Sequence, residues 1–230
     1  MRWVRRRRTT VRVHVPRWRA AAGVAAVVAL IATGCARAPE PADPASAPAR
    51  TITCSYPAHG TAARPVDPPA GADVSASGRA VVTMSLDATT AQFRLDRAEA
   101  PCAVNSFLHL AEQGYFSGTR CHRLSAQTAF YLQCGDPTGT GTGGPGYDFA
   151  AELEGHETYP AGTVAMATSG GRNGSQFFIV TEDSDMPAAY TVVGTIDPAG
   201  LAAARSIASK GADADGRPVS RAELGAATMG

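Results

Sequence analysis

His122 and Arg123 are adjacent and bring an imidazole and a permanent cation to one point of the chain. A histidine can move a proton if a carboxylate or a nucleophile stands beside it. Without a visible partner, His122 reads as a structural residue. An arginine stays charged at any working pH and offers five N–H donors in a fixed fork, which suits it to stabilising a lone pair or a developing negative charge. The two lie in a β-rich run, 120–124, where neighbouring side chains point to opposite faces, so only one can face a given cleft. Glu152, Glu154 and His156 are spaced closely enough to hold a metal ion, but their surroundings read as a solvated loop. Gly139, Gly141 and Gly144 fit GxGxxG, yet Pro145-Gly146 follows. No helix can start there to face a pyrophosphate, so the segment is a glycine-rich loop. SGGRNGS (169–175) lacks the lysine and spacing of a P-loop, and its glycines suit a tight turn or a close approach of backbone to a ligand. No GxSxG elbow and no HExxH occur.

The elements that must position these residues begin after a long amino-terminal stretch. Residues 1–34 hold eight arginines and no acid, and 20–34 are uncharged. A basic region followed by a short apolar one reads as an export signal. It ends Ile31-Ala32-Thr33-Gly34-Cys35, and small residues before a cysteine resemble the lipobox of bacterial lipoproteins, where the thiol is acylated. A plain signal peptide with a chance cysteine is the alternative. Residues 36–73 hold eight of the 16 prolines and show little apolar periodicity. With Cys35 they are predicted to be a tether, 35–73, that stands a working domain off a membrane. From Cys35 onward there are 13 basic and 20 acidic residues. That balance excludes sequence-independent DNA binding, which needs clustered Lys and Arg.

Residues 74–230 suffice for one buried domain. Val82, Met84 and Leu86 alternate, as do Phe93 and Leu95, and both stretches predict half-buried strands. Val104, Phe107, Leu108 and Ala111 fall at helical spacing, with Pro101 in the first turn and Gly114 to close. Short strand-like runs follow at 120–124, 129–133, 162–168, 176–181 and 191–196. Asp197 can cap a helix that has Pro198 at its first position and Lys210-Gly211 at its end. Residues 218–226 can add a strand. Many short strands and two helices predict a mainly β domain, a closed or nearly closed antiparallel barrel with helical plugs. Cys54, Cys102, Cys121 and Cys134 suggest two disulfides outside the cytoplasm, with three connectivities open; no CxxC or HxxxH supports zinc.

The order of segments narrows this reading. APCAVNSFLHLAEQGYFSGTRCHRL resembles the first helix and following strand of cyclophilins, and FYLQCGDPTGTGTGGPGY their next strand and glycine loop. GTVAMATSGGRNGSQFFIV resembles their MA…NGSQFFI signature, and YTVVGTI the strand before their last helix. The matches run in family order from 79 to 226. The whole arrangement looks like the exported, lipoprotein-type cyclophilins of high-GC Gram-positive bacteria. The resemblance implies a closed eight-stranded antiparallel β-barrel capped by two α-helices, and peptidyl-prolyl cis-trans isomerase activity without a cofactor. It makes Arg123 the catalytic arginine. It assigns substrate binding to Phe130, Gln133, Ala167, Thr168, Ser169, Gln176, Phe178, Met186 and Tyr190. It also places Cys121 and Cys134 on adjacent strands of one hairpin, and so implies Cys121–Cys134 and Cys54–Cys102, the second stapling the extension to the domain.

Departures accompany the match. The turn SAQTA places two more residues than usual between Arg123 and Phe130, so Tyr131 and Ala129 compete with Phe130 for the floor of the proline pocket. Cys121 replaces a usual Phe, and Thr168 a common Asn. Asp185 stands where cyclosporin-sensitive members carry Trp, which implies weak cyclosporin binding. The reading that follows is an exported, lipid-anchored, monomeric isomerase acting on Pro-containing chains, with no nucleic acid partner. The alternatives are a non-catalytic binding module for such chains and a purely structural surface lipoprotein.

Overall fold

The computed structural model describes residues 50–230. The expected signal 1–34, Cys35 and the first part of the tether lie outside these residues. In chain order the elements are β1 (Thr51–Ile52), β2 (Val74–Ser75), β3 (Arg79–Leu86), β4 (Thr89–Asp96), α1 (Pro101–Glu112), β5 (Thr119–Arg120), β6 (Arg123–Ala126), β7 (Phe130–Cys134), β8 (Phe149–Ala150), β9 (Thr163–Ser169), β10 (Arg172–Val180), β11 (Val192–Ile196), α2 (Pro198–Ala208), β12 (Glu223–Leu224) and β13 (Thr228–Met229).

One antiparallel sheet runs β5-β12-β3-β4-β11-β9-β10-β7-β6, with β13 added to β3 and β8 to β10. It is mainly β with two helices, but the expected closed eight-stranded barrel is corrected to an open, curled half-barrel. The reason lies at the two edges. β5 and β6 are consecutive, separated only by Cys121-His122, so one run of chain passes from one edge to the other. Along it the partner changes at Cys121-His122, where Cys121 N donates to Ala222 O at 2.7 Å and His122 N to Gln133 O at 2.9 Å, so no single ladder crosses the seam.

Alternation works as the sequence predicts. Val82, Met84, Leu86, Ala91, Phe93 and Leu95 are all buried, and β3 pairs β4 from Arg79↔Asp96 to Leu86↔Thr89. Helix α1 has Pro at its start and no side-chain cap of its own at Ala100. Its first free N–H groups, of Cys102 and Ala103, donate instead to the carboxylate of Glu152 at 3.0 and 2.8 Å. A negative charge at a helix start is favourable because the free N–H groups carry partial positive charge. Helix α2 is capped as predicted, with Asp197 Oδ1 accepting from Gly200 N at 3.0 Å.

Residues 50–73 correct the tether prediction. They form a strap packed on the domain: β1 pairs β2, and Cys54 is buried and bonded to Cys102. Arg64 donates to the carbonyls of Gly114, Tyr115 and Ser117 at 2.8–2.9 Å. Pro-rich composition hides such packing because what holds the strap is one disulfide and scattered polar bonds, not an apolar stripe. The second bridge joins Cys121 to Cys134.

Candidate functional site

Strands β6 and β7 form a hairpin in which Arg123 faces Gln133 and Ser125 faces Tyr131. Residues directly opposite in an antiparallel pair share a face, so these four side chains leave the sheet together. Leu124 and Leu132 take the other face and are buried. Arg123 is exposed, and its guanidinium carbon lies 5.8 Å from the centre of the Tyr131 ring, within cation–π range. No carboxylate among the described residues lies within ion-pair distance of it.

Next to Arg123 lies an aromatic cup. Tyr131 meets Phe178 at 5.2 Å between ring centres, and Phe178 meets Tyr190 edge-on at 5.3 Å. Met186 and Ala167 pack on the same cluster. Behind it stands Tyr159, which the sequence reading missed. Its hydroxyl donates to Tyr190 O at 3.1 Å and accepts from Tyr190 N at 3.0 Å, fixing that rim residue. Nothing in its spacing marks it; only the partner loop does.

Phe130 is not part of the cup. It is half-buried and tied through its backbone to Ser184 Oγ at 2.9 Å and Thr181 N at 2.8 Å. Phe130 pairs with Ala126 at the tip of the hairpin, beyond the turn that holds the two extra residues. Because strand periodicity is two, an insertion of two preserves which face each side chain takes, and Tyr131 supplies the aromatic wall. Of the competitors named from the sequence, Tyr131 is the one whose ring meets Phe178.

Gln133 and Gln176 form the polar end. Gln176 sits in a break of register between β9 and β10, bounded by Asn173 and Phe177. Freed there from regular pairing, its side chain is clamped at both ends. Nε2 donates to Gly141 O at 3.0 Å and Gly143 O at 2.9 Å. Oε1 accepts from Gln133 Nε2 at 2.8 Å and pairs with His122 Nε2 at 3.1 Å. With Gln176 so oriented, His122 must carry its proton on Nε2, and Nδ1 is left buried without a hydrogen-bond partner among the described residues. Burial holds the His122 pKa below its ordinary value, so it is neutral and structural, as a lone histidine reads. The glycine loop is itself wound on Asp136, whose carboxylate accepts from Thr138, Gly141 and Gly143 N–H groups. Its pKa is lowered: burial pushes it up, and these hydrogen bonds outweigh that. A Cβ at position 143 would stand 2.0 Å from Asp136 Oδ1, so only glycine fits.

Ala167, Thr168 and Ser169 form the end of β9. Its pairing with β11 stops at Val192↔Ala165 and the Met166 N to Thr191 O bond, so beyond this the edge is open. Thr168 Oγ1 is occupied by Asn173 Oδ1 at 3.0 Å, which leaves its backbone as the recognition group. The same cleft also holds Gln133 and Gln176. Asp185 is exposed on the loop before Met186. The metal reading of Glu152, Glu154 and His156 falls away. Glu152 caps α1, Glu154 pairs with His156 at the surface, and among the described residues no cluster of three ligands exists.

The chain thus presents, on a curled half-barrel, a cation beside an aromatic cup and an open strand edge. Residues 81–228 match the family model described as cyclophilin type peptidyl-prolyl cis-trans isomerase/CLD. The chain belongs to this family. It is 44% identical over 176 residues to the probable peptidyl-prolyl cis-trans isomerase B of Mycobacterium leprae, covering 70% of this chain and 60% of that protein. The corresponding Mycobacterium tuberculosis protein is 42% identical over 190 residues, covering 74% and 62%. The chain thus spans about three fifths of the length of these relatives. Among solved structures, a cyclophilin type peptidyl-prolyl cis-trans isomerase of Cryptosporidium parvum superposes with a TM-score of 0.59 at 27% identity, covering 66% of this chain and 98% of that one. A second structure of that protein was obtained in the presence of the dipeptide Ala-Pro.

Proposed function

We propose that the protein is a peptidyl-prolyl cis-trans isomerase. The observation that carries this reading is Arg123, a cation without a carboxylate partner among the described residues, stacked on the wall of an apolar cup. Resonance gives the X–Pro bond a barrier of about 18–20 kcal/mol, and uncatalysed exchange takes tens to hundreds of seconds. A proline ring seated among Tyr131, Phe178, Met186 and Tyr190 fixes one side of that bond. The preceding residue lies along the open edge at Ala167–Ser169, and its carbonyl swings. As the bond twists, the prolyl nitrogen becomes pyramidal and regains a lone pair, toward which an Arg123 N–H donates. No covalent bond forms and no proton is transferred. Gln133, with one N–H held by Gln176, keeps Oε1 for the substrate backbone. The effect is electrostatic stabilisation of a distorted state by groups already in position.

The same reading makes Cys35 a lipid anchor and the clients exported Pro-containing chains whose folding is assisted outside the membrane. The Arg-rich, then apolar, amino-terminal stretch and the two disulfides support it. The test is cis–trans exchange of a short X–Pro peptide by NMR exchange spectroscopy with the intact chain. Wild type is expected to accelerate exchange, and Arg123→Ala to lower kcat/KM by about 10²–10³-fold, the loss seen when one preorganised donor is removed. One observation favours a second reading, a binding module without catalysis: the lengthened β6–β7 hairpin beside Arg123. Peptide-induced shifts without acceleration would put that reading first.

A further inference from the structure

One wall of the cleft containing Gln133 and Gln176 comes from outside the family match. It is the strap, through His59, Gly60 and Thr61. The cleft encloses about 600 Å³. These three residues form an arch pinned on both sides. Ala58 bridges Tyr147 and Ala62 bridges Gly144, while His59 N donates to Gly146 O at 2.9 Å and Ala63 N to Gly144 O at 2.8 Å. At Gly146, φ is +83° and a Cβ would stand 3.1 Å from Ala62, so a glycine is what allows the strap so close. Cys54–Cys102 anchors the strap before the arch, and Arg64 anchors it after.

Beside the arch, Asp148 is held between Arg172 and His59 Nδ1, the latter at 3.4 Å. Its side chain is only 13% exposed and its charge is already paired. What a ligand meets is the outer side of this trio. The His59 side chain is 74% exposed and that of Arg172 41%, and Thr61 and Thr142 line the same cleft. Arg172 presents a guanidinium and the two threonines hydroxyl donors, while His59 is held by its Nδ1 against Asp148 and walls the site. A carboxylate would be accepted there, whereas an ammonium would face Arg172 without an unpaired acid to bind.

We propose that the strap is a specificity element: its His59–Thr61 arch and Arg172 form a subsite for an acidic side chain near the substrate proline. This rests on the reading of the adjoining cup as the proline site. The cleft shares Gln133, Ala167, Thr168 and Gln176 with that site, so a chain laid along β9 brings a flanking residue into it.

The experiment uses the intact chain and Pro-containing peptides with Glu, Gln, Ala or Lys at each position within two residues of the proline. Dissociation constants come from ¹⁵N shift titration, and exchange rates from the same samples. At one position, Glu is expected to bind about fivefold to tenfold tighter than Lys, with Gln and Ala between. Thr61→Glu, a change at an exposed residue, is expected to invert the order so that Lys binds tighter. An inverted preference cannot come from a strap that has merely loosened. Arg172→Gln, which removes the guanidinium and leaves the Asp148 charge unpaired, is expected to shrink the Glu-to-Ala ratio. No Glu preference in wild type, or the same preference in Thr61→Glu, overturns the proposal. Selective binding without acceleration removes the isomerase reading and leaves the subsite; acceleration equal for all peptides does the reverse.

Discussion

Phe177 and Phe178 are neighbours on one strand and belong to two different aromatic clusters. Phe177 packs with Phe93, Phe107 and Phe116 at 5.1–5.8 Å between ring centres, and all four are essentially fully buried. Phe178 packs with Tyr131 and Tyr190, which are only half-buried and reach solvent. The first cluster joins both strands and helix α1 and has nothing left to bind. The second keeps a concave face toward the cleft. The same chemistry thus serves cohesion on one face of the sheet and recognition on the other, and the difference is whether the neighbours are saturated.

The comparison breaks if truncation at the two positions has the same consequence. Phe177→Ala is expected to lower unfolding free energy by about 3–5 kcal/mol, because the close-packed cluster cannot collapse into the space. Phe178→Ala should cost less, about 2–3 kcal/mol, since half-buried rings can shift, but it should weaken X–Pro peptide binding at least tenfold. Denaturant midpoints and peptide titrations read both, and equal stability losses with unchanged binding would erase the distinction.

Within the cup, Tyr131→Ala and Phe130→Ala sharpen it. Tyr131→Ala is expected to weaken peptide binding about tenfold, ~1.4 kcal/mol, and Phe130→Ala less than twofold. The opposite ranking would return the pocket floor to Phe130.

The smallest expected effect concerns the polar end. The pKa of His122 is lowered from 6.5 in the folded chain, mainly by burial. Below about pH 6.5 the unfolded chain therefore binds a proton that the folded chain refuses. Stability from this group is complete above that pH and falls as pH drops toward the folded value. The slope is at most about 1.4 kcal/mol per pH unit. His122→Gln should flatten the loss between pH 7 and 5 in denaturant titrations; a parallel profile would assign it to other groups.

How far the sequence carried these results differs by region. Alternation at Val82–Leu86 and Phe93–Leu95 and the Asp197-Pro198 start of α2 were legible because each is a local pattern with a local cause. Arg123 and Gln176 could be named from motifs. Their arrangement could not: Gln176 is oriented by Gly141, Gly143 and His122, residues 33 to 54 positions away. The Glu152 cap on α1 was hidden for the same reason, and Glu152 looked like a metal ligand. The Cys54–Cys102 staple of the strap was implied by the resemblance, but the backbone bridges that seat the strap were not, because composition registers only its prolines.

The two disulfides join consecutive cysteines, Cys54 to Cys102 and then Cys121 to Cys134, so neither encloses or crosses the other. A chain that emerges from its amino end can therefore seal each bridge as the second thiol arrives, before the next pair is exposed. With the Cys35 thiol acylated as proposed, order of appearance selects the native pairing, and no mispaired thiols need reshuffling, a process that runs over seconds to hours.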